Sequence, residues 1–443
     1  MNLRNALPRL SLLPFLFLAA CDSGSAPGTS GGGGSGADGS VTNVDGGGTT
    51  ASDGSVASGG DGGVAPDGSF RIVGYYAGWS TYTRDFQVAE LPADRMTHVN
   101  YAFANVQGGK CVLGDAWADV QKVFPGDTWD DSSANRAGNF GALRRLKAAN
   151  PSLRTLISVG GWTWSTQFSD VASTASGRAA FASSCVDFMV AYGFDGIDID
   201  WEYPVGGGLA GNANRPEDKA NYTLLLAALR AELDARRMTL ARAEPFLLTI
   251  AAPAGPAIID HLDPVGIAAS VDWINVMSYD FHGAWENVTG HNAPLHQGTG
   301  DANVGWNVEA ALHAYLDRGV PPSKLVMGVP FYGRSWQGVS AGTTSGLYRS
   351  ATGAGPGTWE NGVLDYADIA AHYVGKPGWS ALRDATAGVP YLYNASSGVF
   401  VTYDDATSLR AKRSLAGALG LGGLMVWEMS ADDASHTLLD ALR

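Results

Sequence analysis

Cysteine and positive charge are what this chain has least of. Its 443 residues include three cysteines, and 29 lysines and arginines stand against 43 acids. A formal charge of −14 and a pI near 4.9 argue against a nucleic-acid partner, because phosphate binding needs a basic face. Beyond Cys21 only Cys111 and Cys185 remain. With no histidine pair near them they give no metal site, and neither a metal nor another cofactor is expected. Cys185 lies in the helical-looking run RAAFASSCVDFMVAYG. It reads there either as a small buried hydrophobe or, if the chain is exported, as half of a disulfide with Cys111. Aromatic residues are missing altogether from 22–69, a stretch of Gly, Ser, Ala, Thr and Asp. Such a segment cannot bury enough apolar surface to offset its ordering entropy, so a flexible linker is expected.

The first 21 residues have the pattern of an export signal. Arg4 and Arg9 precede LSLLPFLFLAA, which is too short to span a bilayer and ends in small residues. Leu18-Ala19-Ala20-Cys21 resembles the bacterial lipoprotein box, which implies a lipid on Cys21 and a membrane- or surface-anchored protein. An ordinary secretory signal cut near Ala20 is the alternative. The linker then reads as a tether for the domain that follows.

From Phe70 the pattern changes to apolar runs separated by helical stretches. Eight strands are expected: 71–77, 97–104, 153–161, 193–202, 246–254, 271–280, 324–333 and 422–430. Helical runs such as KANYTLLLAALRAELDARR alternate with them. Eight buried strands alternating with helices predict an α/β fold, a (β/α)8 TIM barrel over 70–443. Its active site would lie at the C-terminal strand ends. About ninety residues separate the seventh and eighth strands. The Tyr-, Trp- and Gly-rich part, approximately 337–402, reads as a small α+β insertion that raises one wall of a cleft.

The most informative stretch is FDGIDIDWEYP, 194–204. Side chains alternate between the faces of a strand, so Asp198, Asp200 and Glu202 project as a row. The intervening Ile199 and Trp201 mark a buried strand, which puts the three acids inside. Stacked buried carboxyls repel and are poorly solvated, so at least one should keep its proton near neutral pH. A protonated acid beside ionised ones is what glycosidic cleavage requires. A solvated edge strand with an acidic face is the plainer alternative.

This run matches the Asp-x-x-Asp-x-Asp-x-Glu signature of glycoside hydrolase family 18, the chitinases. SVGGW (158–162), MSYDFHG (277–283), VPFYGRSW (329–336) and GLMVWEMS (423–430) resemble that family's motifs on the third, sixth, seventh and eighth strands. The insertion resembles that of the bacterial subfamily with deep clefts. The resemblance implies substrate-assisted hydrolysis, in which the substrate's own N-acetyl carbonyl attacks the anomeric carbon. Glu202 would be the general acid and then the base. Asp200 would orient the N-acetyl N–H and share a proton with Asp198. Tyr279 would bond the carbonyl, Asp280 would contact the sugar, and Met277 would line the pocket. Trp427 would be the floor beneath the cleaved sugar. Trp162 and Trp285 resemble leaving-group-side positions, and Tyr75 and Trp79 positions on the non-reducing side. Arg334, Trp359 and Glu360 match further substrate contacts. The expected partner is chitin or its oligosaccharides, met by a monomer. An endo-β-N-acetylglucosaminidase acting on other glycans and a glycan-binding lipoprotein without turnover stay open as alternatives.

Overall fold

The computed structural model describes residues 70–443. The export signal, Cys21 and the linker lie outside the described residues. Eight parallel strands close into a barrel: β1 (Arg71–Ala77), β2 (His98–Gln107), β4 (Arg154–Gly160), β5 (Gly196–Asp200), β6 (Leu247–Ala252), β7 (Trp273–Val276), β8 (Leu325–Pro330) and β15 (Gly423–Trp427). Pairing of β1 with both β2 and β15 closes the ring. A short β3 (Lys110–Val112) forms a hairpin with β2.

Alternation along the strands produces two separate cores. Ile197, Ile199 and Trp201 point outward, into the large core beneath the helices. Val73, Leu156, Trp273, Val326 and Met425 fill the barrel interior. The helices are sealed by their sequence. In Ala175–Tyr192 the Thr174 side chain caps the first turn and Gly193, at φ 79°, ends the last. Glycine tolerates that left-handed backbone without Cβ strain. The helix Asp218–Thr239 lays Leu225, Leu226, Leu229 and Leu233 on the barrel.

Several expected boundaries differ, and those that bear on the site are these. The fourth barrel strand ends at Asp200 rather than 202, so Glu202 sits in the turn beyond it. The sixth ends at Val276, leaving Met277–Asp280 in a loop with Asp280 at φ 57°. The expected strand 324–333 divides at Phe331. Its second part, β9 (Tyr332–Gln337), leaves the barrel for an antiparallel sheet. The insertion sheet therefore begins at Tyr332, five residues before the expected 337. It contains β10 (Gly353–Ala354), β11 (Val363–Asp365), β12 (Trp379–Asp384), β13 (Val389–Asn394) and β14 (Val399–Thr402). Pairing of β9 with β11 and β14 draws Tyr332 away from the barrel. Cys111 and Cys185 are buried free thiols. No described helix is long and apolar enough to cross a membrane.

Candidate active site

The polar residues of the barrel converge on Asp198. Its Oδ2 accepts from Tyr75 Oη at 2.6 Å and Ser158 Oγ at 2.7 Å. Its Oδ1 accepts from Thr249 Oγ1 at 2.6 Å and Asn275 Nδ2 at 3.3 Å. These donors come from β1, β4, β6 and β7, so four strands hold one carboxyl in place. Burial pushes the Asp198 carboxyl up and the four hydrogen bonds pull it back, leaving it somewhat above the ordinary range.

Two residues later the environment is reversed. Asp200 is buried, and its Oδ1 has no hydrogen-bond partner. Burial first, then the charges of Glu202 and Asp198, hold its carboxyl well above the ordinary value. Asp198 is occupied by donors from its neighbouring strands, while Asp200 is left with a free acceptor.

Glu202 follows at the mouth. Burial pushes it up to about 7; the Tyr203 hydroxyl pulls down and the Asp280 charge pushes up. Its backbone is fixed from both sides. The Glu202 N–H donates to Ser165 Oγ at 2.8 Å, and its carbonyl accepts from Asn212 Nδ2 at 3.1 Å. The row of acids is thus built from a strand and a clamped turn, with a protonated group near neutral pH at its outer end.

Tyr279 faces this row from the loop after β7, its hydroxyl 3.8 Å from Met425 Sδ. The ring lies close over Gly328 on β8, where a Cβ would meet the tyrosine at 2.9 Å. Burial, with the charges of Asp200 and Asp280, keeps the phenol protonated and able to donate. Asp280 Oδ1 accepts from Tyr332 Oη at 2.7 Å and Arg334 Nε at 2.9 Å. Arg334 also covers the Trp285 ring, 4.9 Å from its centre. Met277 is half-buried against the barrel interior beside Tyr279 and Trp427.

Trp427 forms a half-buried floor. Its ring lies 5.4 Å from Tyr75, 5.8 Å from Phe103 and 6.3 Å from Trp79. Trp79 is 44% exposed and Trp359 46%, both open enough to offer a ring face. Trp162 and Trp285 are partly exposed, and the Trp162 indole N–H is buried without a partner. Glu360 is raised by burial and pulled back by Arg334 and Arg84. Tyr75 departs from expectation. It is 1% exposed and spends its hydroxyl on Asp198, so it holds a carboxyl rather than presenting a face to a sugar. β1 turns Tyr75 into the barrel, which its aromatic character does not reveal.

Sequence reasoning assigned no role to Ser158, Thr249, Asn275, Ser165, Tyr203, Asn212 or Tyr332. The legible signal for three of them was a polar residue placed inside an otherwise apolar barrel strand. Among the described residues no group of His, Cys, Asp and Glu is arranged to hold a metal ion.

Similarity to known proteins extends over most of the described chain. The family profile described as "Glycosyl hydrolases family 18" matches residues 71–432. The chain is 47% identical over 414 residues to Chitinase A1 of Niallia circulans, covering 85% of this chain and 58% of that one. It therefore spans little more than half of that relative. It is 41% identical over 360 residues to Endochitinase 1 of Metarhizium robertsii, covering 81% of this chain and 80% of that one. Among solved structures, the chitinase ChiA74 from Bacillus thuringiensis superposes with a TM-score of 0.81 at 41% identity, over 84% of this chain and 69% of that one.

Proposed function

The chain belongs to glycosyl hydrolases family 18, and on that premise we propose that it is a chitinase cleaving β-1,4-linked N-acetylglucosamine with retention of configuration. One observation carries the mechanism: a buried acid row ends in Glu202, pushed up to about 7, with the Tyr279 phenol facing it. Glu202 gives its proton to the glycosidic oxygen as the C1–O bond breaks. The carbonyl oxygen of the substrate's N-acetyl group closes on C1, forming an oxazolinium ion. Tyr279 donates to that carbonyl oxygen and orients it. The unpartnered Asp200 oxygen accepts from the N-acetyl N–H and so holds the amide in place for the attack. Glu202, now ionised, takes a proton from a water whose oxygen attacks C1 and displaces the N-acetyl carbonyl oxygen, which restores the acid, the N-acetyl group and the β-configuration. Asp198 keeps its place through its four donors beneath Asp200. Trp427, Trp79, Trp162, Trp285 and Trp359 stack against sugar faces, and Asp280, Arg334, Glu360 and Met277 complete the wall.

The test uses the purified chain with an N-acetylglucosamine pentamer and a high-mannose glycopeptide, wild type beside Glu202→Gln. The variant is expected to fold and to lose about 10²–10⁴ in kcat on the oligomer, the usual range for a lost general acid. Equal turnover by both proteins would end the assignment. Cleavage confined to the glycopeptide would move it to an endo-β-N-acetylglucosaminidase. We also propose that the protein is exported and lipid-anchored at Cys21, on the strength of its lipoprotein-box sequence. Cys21→Ser should move the protein from the membrane fraction to the soluble one, and unchanged partitioning would sink the anchor.

A further inference from the structure

Three segments of the chain meet at one guanidinium. The first is the turn after β1, which carries Trp79 and, five residues on, Arg84. The second is the exit of β15, where Glu428 follows Trp427. The third is the insertion, which contributes Trp359 and Asp365. Arg84 Nη1 donates to both oxygens of Asp365, at 2.9 and 3.1 Å, and lies 3.3 Å from Glu428 Oε1. Its guanidinium carbon sits 5.1 Å from the centre of the Trp359 ring. That same indole donates to Asp365 Oδ2 at 2.6 Å. Ser430 completes the junction. Its hydroxyl donates to Glu428 Oε1 at 2.6 Å and accepts from Ser80 Oγ at 3.3 Å. The Arg84, Asp365 and Glu428 side chains are only 18%, 10% and 7% exposed, so solvent does little to screen them.

Without the guanidinium, two poorly solvated carboxyls would face each other across the seam between barrel and insertion. Their repulsion and desolvation push the two bodies apart. One nitrogen, Nη1, makes all of these carboxylate contacts, while the guanidinium lies over the Trp359 ring, a packing that a lysine ammonium reproduces less well. We propose that Arg84 is a positioning residue. It holds the insertion's Trp359 at a working distance from Trp427 and Trp79, so that one sugar chain can lie on all three rings. The proposal rests on the chitinase reading and adds to it a determinant of substrate length.

The experiment compares N-acetylglucosamine trimer through hexamer. Binding is measured by calorimetry in the Glu202→Gln background, and turnover is measured in the otherwise wild-type enzyme. Trp359→Ala first defines which lengths reach that ring. Arg84→Gln should weaken binding and raise KM about tenfold, the scale of a small misplacement of binding groups, and only for those lengths. Shorter oligomers should be bound and cleaved as before. The double variant Arg84→Gln/Trp359→Ala should lose less than about twofold beyond Trp359→Ala alone, since coupled residues do not add. Arg84→Lys should show the same length dependence with a smaller loss, and it reads the proposal if the glutamine variant fails to fold. Equal losses at every length, no loss, or fully multiplicative losses in the double variant would overturn it. Turnover of no oligomer by the wild type would overturn the chitinase reading instead, with the positioning role still read from binding.

Discussion

Asp198 carries four hydrogen-bond donors and the Asp200 Oδ1 none, although the two lie on one strand. That asymmetry divides their work. The inner carboxyl is fixed in place, and the middle one is left with an acceptor that a substrate amide can satisfy. Glu202, raised to about 7, sets the pH behaviour. A general acid must be protonated, so kcat/KM should fall as pH rises through about 7. Asp280 is one of the charges raising it. Asp280→Asn removes that charge and leaves Arg334 without its carboxylate partner, and both effects favour ionised Glu202. The basic limb should therefore move to lower pH, alongside lower activity from the lost contacts. A pH profile of kcat/KM checks this, and a limb that stays put or moves up would contradict it. The row of acids was visible in the sequence because alternation on a strand needs only local spacing. The roles of Tyr75, Ser158, Thr249 and Asn275 were not. Which face of a strand points inward depends on closure with partners far along the chain.

At the scale of elements, the site depends on how the barrel strands end. β4 finishes at Gly160, whose φ is 110° and whose Cβ, if present, would lie 2.3 Å from the Asp200 carbonyl oxygen and 2.6 Å from the Phe168 ring. Both the backbone conformation and the close approach require glycine there. Gly160→Ala should destabilise the fold by roughly 2–4 kcal/mol, as strain at a special backbone position does, and it should displace Asp200. Chemical denaturation with parallel activity assays measures both, and a stable, fully active variant would contradict the argument. The eight strands themselves were legible from apolar runs of strand length separated by helical periodicity. Their ends were not. Glu202 falls in a turn rather than on β5 because the turn is tied by Ser165 and Asn212 from other loops. The run 324–333 divides because β9 finds its partners β11 and β14 thirty to sixty residues later, and no local pattern announces such pairing.

For the whole molecule, the insertion matters as the second wall of the cleft. It is joined to the barrel at several points besides Arg84. Asp404, just past β14, receives Lys412 Nζ at 2.7 Å and Ser408 Oγ at 2.6 Å in a fully buried cluster. His291, on the loop after β7, lies 3.2 Å from Asp384 of β12 and 3.3 Å from Thr402 of β14. A cleft whose walls are fixed in this way can use binding along the chain to bring the N-acetyl group against C1. The whole mechanism depends on the substrate supplying its own nucleophile. Its most direct test incubates the enzyme with the N-acetylglucosamine pentamer and with its fully deacetylated counterpart, following the anomers of the first products by NMR before they equilibrate. Early β-anomers are expected from the acetylated pentamer, with almost no cleavage of the deacetylated one. Early α-anomers, or comparable cleavage of both substrates, would contradict that mechanism.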